Sequence, residues 1–297
     1  MNGILDDFKN AWNKPNNSVA QIILINVVVF VFTGVMLIVG FGDLVRPWLG
    51  MPSNLGTLIT RPWTLITHAF VHADFFHILF NMLWFYWFGR IIQEFLGSEK
   101  VISVFVMGII GGIIAFIGAY NIIPQFEVAA EVATIVGASA GVTATVIGAA
   151  VHFPNYTMFL MFIGPVKIKY IALVTVFLSL IGTQGTSNPG GEFAHLGGAL
   201  MGWLYMSQLK QGNDIGKWVI STISVFKSLF QPQPKIKVTH RGANKRPSQK
   251  ASRKTTTSSA SQTPQSEIDA ILDKISEKGY ESLSKDEKQK LFNASKQ

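Results

Sequence analysis

The chain has 297 residues, of which 48% are hydrophobic and only 14% are charged. Soluble domains carry about 25% charged residues, so this composition, with its apolar residues in long blocks, excludes an ordinary soluble domain and predicts an all-α polytopic membrane protein. There is no cysteine, which excludes disulfides and thiolate metal sites.

Six apolar segments follow one another along the chain, and we interpret them as six transmembrane helices within a domain of residues 18–210, preceded by a cytoplasmic segment of residues 1–17. A helix needs about 20 residues to cross a bilayer, so the fifth and sixth segments are short and fit only as buried or locally sunken helices of a bundle. The six segments are residues 19–42, 75–93, 101–120, 136–153, 168–183 and 193–208.

The distribution of basic residues predicts the orientation. The third and fifth loops, residues 121–135 and 184–192, contain no Lys or Arg, whereas the N-terminal segment, the second and fourth loops and the tail all do. The positive-inside rule therefore places both termini in the cytoplasm, in accord with an even number of spans. We expect an integral protein of the inner membrane of a bacterial cell.

The tail after the sixth span divides into three parts. Residues 211–231 are amphipathic and predict an interfacial helix, although a loose juxtamembrane segment fits as well. Residues 232–265 are rich in Ser, Thr, Pro and Lys and predict a disordered basic linker. Residues 266–297 predict a small helical hairpin with a capping box of Ser284 and Glu287, too small to be stable without a partner.

Charge is concentrated in this tail. Residues 209–297 hold 17 Lys and Arg against 8 Asp and Glu, whereas residues 1–208 hold 8 and 9. A solvated basic tail beside a membrane favours anionic lipid or an unknown cytoplasmic partner as its ligand, and not nucleic acid.

Placing a polar side chain inside a membrane costs free energy, so polar residues in transmembrane helices usually serve a structural or functional role. Three of the segments that run inward from the outer side carry them: the second has His77 and Asn81, the fourth has Ser139 and the sixth has His195. All four lie within about two turns of the outer end of their segment, and so at a similar depth. Taken singly, each has an ordinary interpretation as a helix–helix hydrogen bond or a bond back to a carbonyl.

Small residues indicate how a short serine side chain comes near a histidine. Gly198 and Gly202 form a GxxxG pattern beside His195, which lets a neighbouring backbone come close. On the fourth segment a second stripe lies roughly opposite Ser139, so this segment is predicted to be central and tightly packed on both sides. The second stripe consists of Gly137, Gly141, Ala144 and Gly148.

A serine beside a histidine suggests base-activated nucleophilic catalysis. His77 and Asn81 share one helical face and offer N–H donors for a developing oxyanion. Glu192 lies one turn before His195, but at the mouth of the span, so we expect a Ser139–His195 dyad in preference to a triad.

The three motifs resemble those of the rhomboid intramembrane serine proteases: "HILFN" on the second span, "GASA" at the start of the fourth and "AHLGG" on the sixth, over about residues 18–210. The resemblance implies a six-helix rhomboid-like bundle that cleaves single-span membrane proteins without a cofactor or metal. It implies Ser139 as nucleophile, His195 as general base, and His77, Asn81 and the Ser139 N–H as the oxyanion hole.

The sequence departs from the family pattern at three places. Ala140 replaces the second glycine of Gly-x-Ser-Gly. Thr143 stands where many members have an aromatic residue against the base, which leaves open how the base is held. The first loop, residues 43–74, has Trp63–Thr64 in place of Trp-Arg, with Arg61 upstream, so an arginine anchor for this loop is not predicted.

Other functions remain as alternatives. A non-catalytic rhomboid-like protein that binds membrane helices is one, although such relatives generally lose the serine or the histidine and this chain keeps both. A transporter or channel predicts charged intramembrane residues or an internal repeat, and we find neither. A metalloprotease is disfavoured because His68 and His72 lack the glutamate of H-E-x-x-H between them.

Overall fold

A computed structural model of the chain describes residues 3–161, 163–185, 188–230 and 264–294, in two compact units, Met1–Pro234 and Lys235–Gln297. The helices of the first unit are α1 (Ile4–Asn13), α2 (Ser18–Ile38), α3 (Gly42–Leu49), α4 (Leu55–Thr60), α5 (Thr64–Thr67), α6 (Phe75–Leu96), α7 (Ser98–Ile122), α8 (Glu127–Ala130), α9 (Ser139–His152), α10 (Ile168–Gly185), α11 (Pro189–Lys210) and α12 (Lys217–Phe230). Its strands form two antiparallel pairs, β1 (Met51–Pro52) with β2 (Thr134–Ile135) and β3 (Thr157–Leu160) with β4 (Gly164–Lys167).

Three of these helices, α2, α6 and α7, are long and apolar enough to cross a membrane, and α9 and α10 are shorter apolar helices. They make the chain an integral membrane protein that is mainly helical. Several predicted ends differ from the helices by up to four residues, and two of the differences bear on the site. α9 begins at Ser139 and not at residue 136, because Gly137 has φ +127° and donates its N–H to the carbonyl of His68. α11 begins at Pro189, four residues before the predicted start, because the Asn188 side chain caps a glycine-rich first turn that hydropathy does not register.

The helix α9 lies at the centre of the bundle, as predicted. Every residue from Ala140 to Ala150 is buried. A β carbon built on Gly198 of α11 would overlap the backbone carbonyl of Ala140, and one on Gly202 would lie 2.7 Å from the α carbon of Ala144. The GxxxG pattern therefore brings α11 into backbone contact with α9, which confirms the predicted use of these glycines.

The helix α7 closes the other side of this contact. A β carbon on Gly112 would lie 2.5 Å from the Ala140 side chain, and one on Gly141 would lie 2.7 Å from the Phe105 ring. Gly111 and Gly197 likewise leave no room for a side chain between α7 and α11. We call the mutual contact of α7, α9 and α11 through these small residues the glycine seam.

The first loop is hydrogen-bonded to the segment that precedes the N-terminus of α9. β1 pairs with β2, three residues before α9. Gly137 donates its N–H to the carbonyl of His68 at 2.8 Å. Ser53 donates its hydroxyl to the carbonyl of Ala130 at 2.7 Å. The first loop and the segment that leads into α9 therefore form one hydrogen-bonded structure.

An arginine does anchor this loop, contrary to what the motif departure suggested. Arg61 donates to the carbonyl of Pro47 at 2.6 Å and its guanidinium lies 5.0 Å from the centre of the Trp48 ring. Trp63 stacks on Trp48 and donates its indole N–H to the Trp48 carbonyl at 2.8 Å. Arg61 can anchor the loop because the loop folds back and brings Pro47 and Trp48 beside it. The residue that directly follows Trp63 does not determine this contact.

The second unit contains α13 (Pro264–Lys278) and α14 (Lys285–Ala294). The predicted capping box is present: Ser284 Oγ accepts from Glu287 N–H at 3.3 Å, and Glu287 accepts from Ser284 N–H at 2.7 Å. The Lys274 ammonium, at 2.9 Å, and these bonds lower the pKa of Glu287 to about 2. Of the predicted linker, residues 232–265, only residues 264 and 265 are among the described residues, and they begin α13.

The glycine seam makes a prediction about stability. Gly198→Val places a branched side chain where the carbonyl of Ala140 now lies, so α9 and α11 must separate. We expect this to lower the free energy of unfolding by about 1–3 kcal/mol. Thermal unfolding in detergent measures this. The matched control is Leu200→Val, on the same helix but 61% exposed. Equal unfolding temperatures for the two variants would contradict the contact.

Candidate active site

Ser139 is the first residue of α9, and the residues before it turn sharply to place it there. Gly137 has φ +127°, a conformation that other residues rarely adopt. A β carbon on Gly137 would lie 2.8 Å from Cε1 and 2.9 Å from Nε2 of the His77 ring. Gly137 therefore permits both the turn and the close approach of His77.

The His77 ring is held so that Nε2 faces this turn. Its helix is capped by Asp74, which accepts from the His77 N–H at 2.9 Å. Its Nδ1 lies 3.4 Å from the Ala73 N–H and accepts from it, so the neutral ring carries its proton on Nε2. From the β-carbon position of Gly137, Ser139 Oγ is 3.7 Å away and His77 Nε2 2.9 Å. His77 Nε2 and Ser139 Oγ therefore both lie beside the backbone of Gly137.

Asn81 lies one turn further along α6. Its side-chain nitrogen donates one hydrogen to the His77 carbonyl at 2.8 Å. An amide has two such hydrogens, so one remains for another acceptor. Asn81 is buried and lines the same cavity as Ser139.

His195 lies in the second turn of α11 and makes hydrogen bonds through Nδ1. Glu192 Oε2 is 3.1 Å from this nitrogen and Ser179 Oγ, on α10, is 3.3 Å from it. Its Nε2 makes no hydrogen bond with any residue that the structure describes, and neither does the Ser139 hydroxyl. The two groups share a cavity without a direct hydrogen bond, which is common before substrate binds.

Sequence reasoning missed Glu192, which it placed at the mouth of the span, and Ser179. The signal for Glu192 was its spacing, because residues three apart on a helix face each other. Ser179 carried no such signal, since its neighbour lies on another helix.

One cavity of about 580 Å³ joins all four predicted site residues. His77 and Asn81 come from α6, Ser139 from the start of α9 and His195 from α11. The rest of the wall is mostly apolar and comes mainly from α6, α9 and α10, with Asp74 just before α6 and Glu192 from α11. Its other residues are Asp74, Phe76, Phe80, Trp84, Val142, Thr143, Val146, Thr175, Leu178, Ser179 and Glu192.

Two further histidines lie behind His77, in the first loop. The rings of His72 and His77 meet edge to face with centroids 5.0 Å apart. Burial, and then the neighbouring His77, lower the pKa of His72 to about 4, so this ring is neutral at pH 7. Burial likewise lowers the pKa of His68 to about 4. Among the described residues no group of three or more His, Asp or Glu side chains is arranged to hold a metal ion.

The fold and the cavity together define a helical membrane protein in which a serine hydroxyl, two imidazoles and a side-chain amide from three helices line one space. The chain belongs to the rhomboid family: the Rhomboid domain matches residues 60–211, about half of its length. Residues 257–297 match a family of unknown function (DUF6576).

Individual relatives agree with this assignment. The chain is 28% identical over 161 residues to RHOMBOID-like protein 12, mitochondrial, of Arabidopsis thaliana, a match covering 51% of this chain and 48% of that protein. It is 33% identical over 87 residues to the rhomboid protease GlpG of Klebsiella pneumoniae, covering 29% of each chain. It is 38% identical over 63 residues to GlpG of Salmonella newport, covering 21% of this chain and 22% of that protein. The chain thus matches half or less of each of these relatives.

Proposed function

We propose that this protein is an intramembrane serine endopeptidase that cleaves peptide bonds of transmembrane substrates near the outer half of the bilayer. The observation that carries the proposal is the shared cavity, in which Ser139, His195, His77 and Asn81 meet from three helices. Membership of the rhomboid family, and the name of its GlpG relatives, support the same reaction.

In the proposed reaction Ser139 Oγ attacks the carbonyl carbon of the scissile bond. His195 Nε2 accepts the hydroxyl proton as the C–O bond forms, and returns it to the amide nitrogen as the C–N bond breaks. The amine product leaves and an acyl ester on Ser139 remains. Water, deprotonated by His195, then attacks this ester, releases the new carboxylate and restores the serine hydroxyl.

The developing oxyanion is stabilised by donors already in place. We assign this role to His77 Nε2–H, the free N–H of the Asn81 side chain and the backbone N–H of Ser139. The last group is unpaired within its helix, because the first four N–H groups of a helix have no intrahelical acceptor, and it lies at the positive end of the α9 dipole.

We also propose the membrane arrangement. The three long apolar helices α2, α6 and α7 are joined by α9, α10 and α11 to make six spans, with both termini in the cytoplasm as the distribution of Lys and Arg favours. Bacterial relatives favour the inner membrane of a bacterial cell, whereas the plant relative is named as mitochondrial. The substrates would be single-span membrane proteins.

We propose that the C-terminal part of the chain takes no part in peptide-bond cleavage. α12 would lie in the membrane interface: Phe226 and Leu229 are exposed and apolar, whereas Val219 is buried. The helices α13 and α14 would form a small hairpin that, with the basic linker, binds anionic lipid or a cytoplasmic partner.

The first prediction tests the chemistry. Ser139→Ala and His195→Ala should each abolish cleavage of a model single-span substrate, because each removes a group of the proposed reaction. Both variants should still fold, as thermal unfolding will show, because each only shortens a side chain that lines the cavity. Fluorophosphonate labelling of Ser139, mapped by mass spectrometry, is the independent measurement. Near wild-type cleavage by a folded Ser139→Ala variant would refute Ser139 as the nucleophile, whereas a folded wild-type protein that cleaves no substrate and is not labelled would favour the non-catalytic helix-binding function.

The second prediction concerns the oxyanion. Asn81→Ala should lower kcat by about 10²–10³-fold and leave KM nearly unchanged, because the donor acts mainly in the transition state. Steady-state kinetics separate the two constants. A rise in KM alone would make Asn81 a substrate contact instead.

The third prediction concerns the tail. Truncation after Phe230 should leave cleavage of a detergent-solubilised substrate largely intact, because α13 and α14 belong to a separate compact unit. The full and truncated proteins are compared side by side, with thermal unfolding as control. A folded truncated protein that has lost most activity would show that the tail acts on the membrane site.

A further inference from the structure

The Glu192 carboxylate lies against the base of the proposed reaction. Its Oε2 is 3.1 Å from His195 Nδ1, and both side chains are about three-quarters shielded from solvent, with 23% and 26% exposed. We infer that Glu192 is a positioning residue that orients His195 for proton transfer, an inference that rests on the proposed protease function.

The hydrogen bond determines which nitrogen of His195 is the base. A carboxylate only accepts hydrogen bonds, so the neutral His195 ring carries its proton on Nδ1 and donates it to Glu192. Nε2 is then unprotonated and has a lone pair for the Ser139 hydroxyl. The carboxylate also stabilises the imidazolium that forms when Nε2 takes the proton, and does not itself take one.

Within the part of the chain that the structure describes, no aromatic ring pairs with His195, and the nearby cavity position on α9 is occupied by Thr143. A ring that rotates freely about its side-chain bonds would lose the alignment that proton transfer needs. In this chain Glu192 supplies that restraint.

The carboxylate is itself held by α10. A β carbon on Gly182 would lie 2.7 Å from Cγ and 2.8 Å from Cδ of Glu192, so the side chain lies directly against bare backbone. One turn away, the buried Ser179 places its hydroxyl 3.3 Å from His195 Nδ1. The orientation of the base therefore depends on the close contact of α10 with α11.

The test compares kcat and KM for a model single-span substrate in variants of the full-length protein. Glu192→Ala should lower kcat by about 10²-fold with KM within about twofold. Glu192→Gln should recover part of this loss, because its amide oxygen still accepts from Nδ1–H but carries no charge. Glu94→Ala, an exposed glutamate at the other end of α6, is the matched control and should retain wild-type kcat.

Gly182→Ala separates positioning from the loss of a polar group. It leaves every polar side chain in place and displaces only the end of the Glu192 side chain, so the protein should fold and lose kcat while KM is kept. The rate of Ser139 labelling by a fluorophosphonate should fall in parallel in both Gly182→Ala and Glu192→Ala.

The outcomes distinguish the two proposals. If Ser139→Ala is inactive while Glu192→Ala and Gly182→Ala keep kcat within about twofold, the role of Glu192 is refuted and the protease stands. The role is also refuted if both variants raise KM alone. If Ser139→Ala still cleaves at near wild-type rate, the proposed serine mechanism through Ser139 is refuted.

Discussion

The close approach of α7, α9 and α11 is the constraint on which the rest of the molecule depends. Gly198 and Gly202 bring the backbone of α11 against α9, and Gly112 and Gly141 do the same between α7 and α9. A serine side chain reaches only a short distance, so Ser139 and His195 meet at one cavity only if their backbones are nearly in contact. Apolar side chains larger than alanine would not fit in the seam and would move Ser139 away from His195.

Two histidines in this site have opposite proposed roles, and a single hydrogen bond decides each. His77 Nδ1 accepts from a backbone N–H, so its Nε2 is a donor, suited to an oxyanion. His195 Nδ1 faces the carboxylate of Glu192, so its Nε2 is an acceptor, suited to a base. Neither role follows from the identity of the residue. Both follow from a hydrogen bond near the start of a helix, to the Ala73 N–H just before α6 and to the Glu192 carboxylate in the first turn of α11.

The sequence predicts those parts of the fold and site that depend on local pattern. The motifs predicted Ser139, His77, Asn81 and His195, which the structure places around one cavity, and the spacing of glycines predicted the contact of α9 with α11 but not the share of α7. The start of α9, the anchor at Arg61 and the contact of Glu192 with α10 were missed, because each depends on a contact between separate segments. The turn at Gly137, held by the carbonyl of His68, delays the start of α9 within an apolar run, and a glycine on α10 gives no sign of the carboxylate that packs against it.

The shortness of α9 has a consequence for what the protein can accept. Its 14 residues rise about 21 Å, against about 30 Å for the hydrocarbon core, and protein surrounds it along its length. In the proposed membrane arrangement its N-terminus, with Ser139, lies below the outer membrane surface, and a substrate of the proposed protease would have to bring an extended backbone there. A transmembrane helix that unwinds loses internal hydrogen bonds, each worth several kcal/mol in lipid. The proposed protease would then select substrates by how readily their helices unwind as much as by their side chains, and a proline or glycine near the cleavage site would favour cleavage.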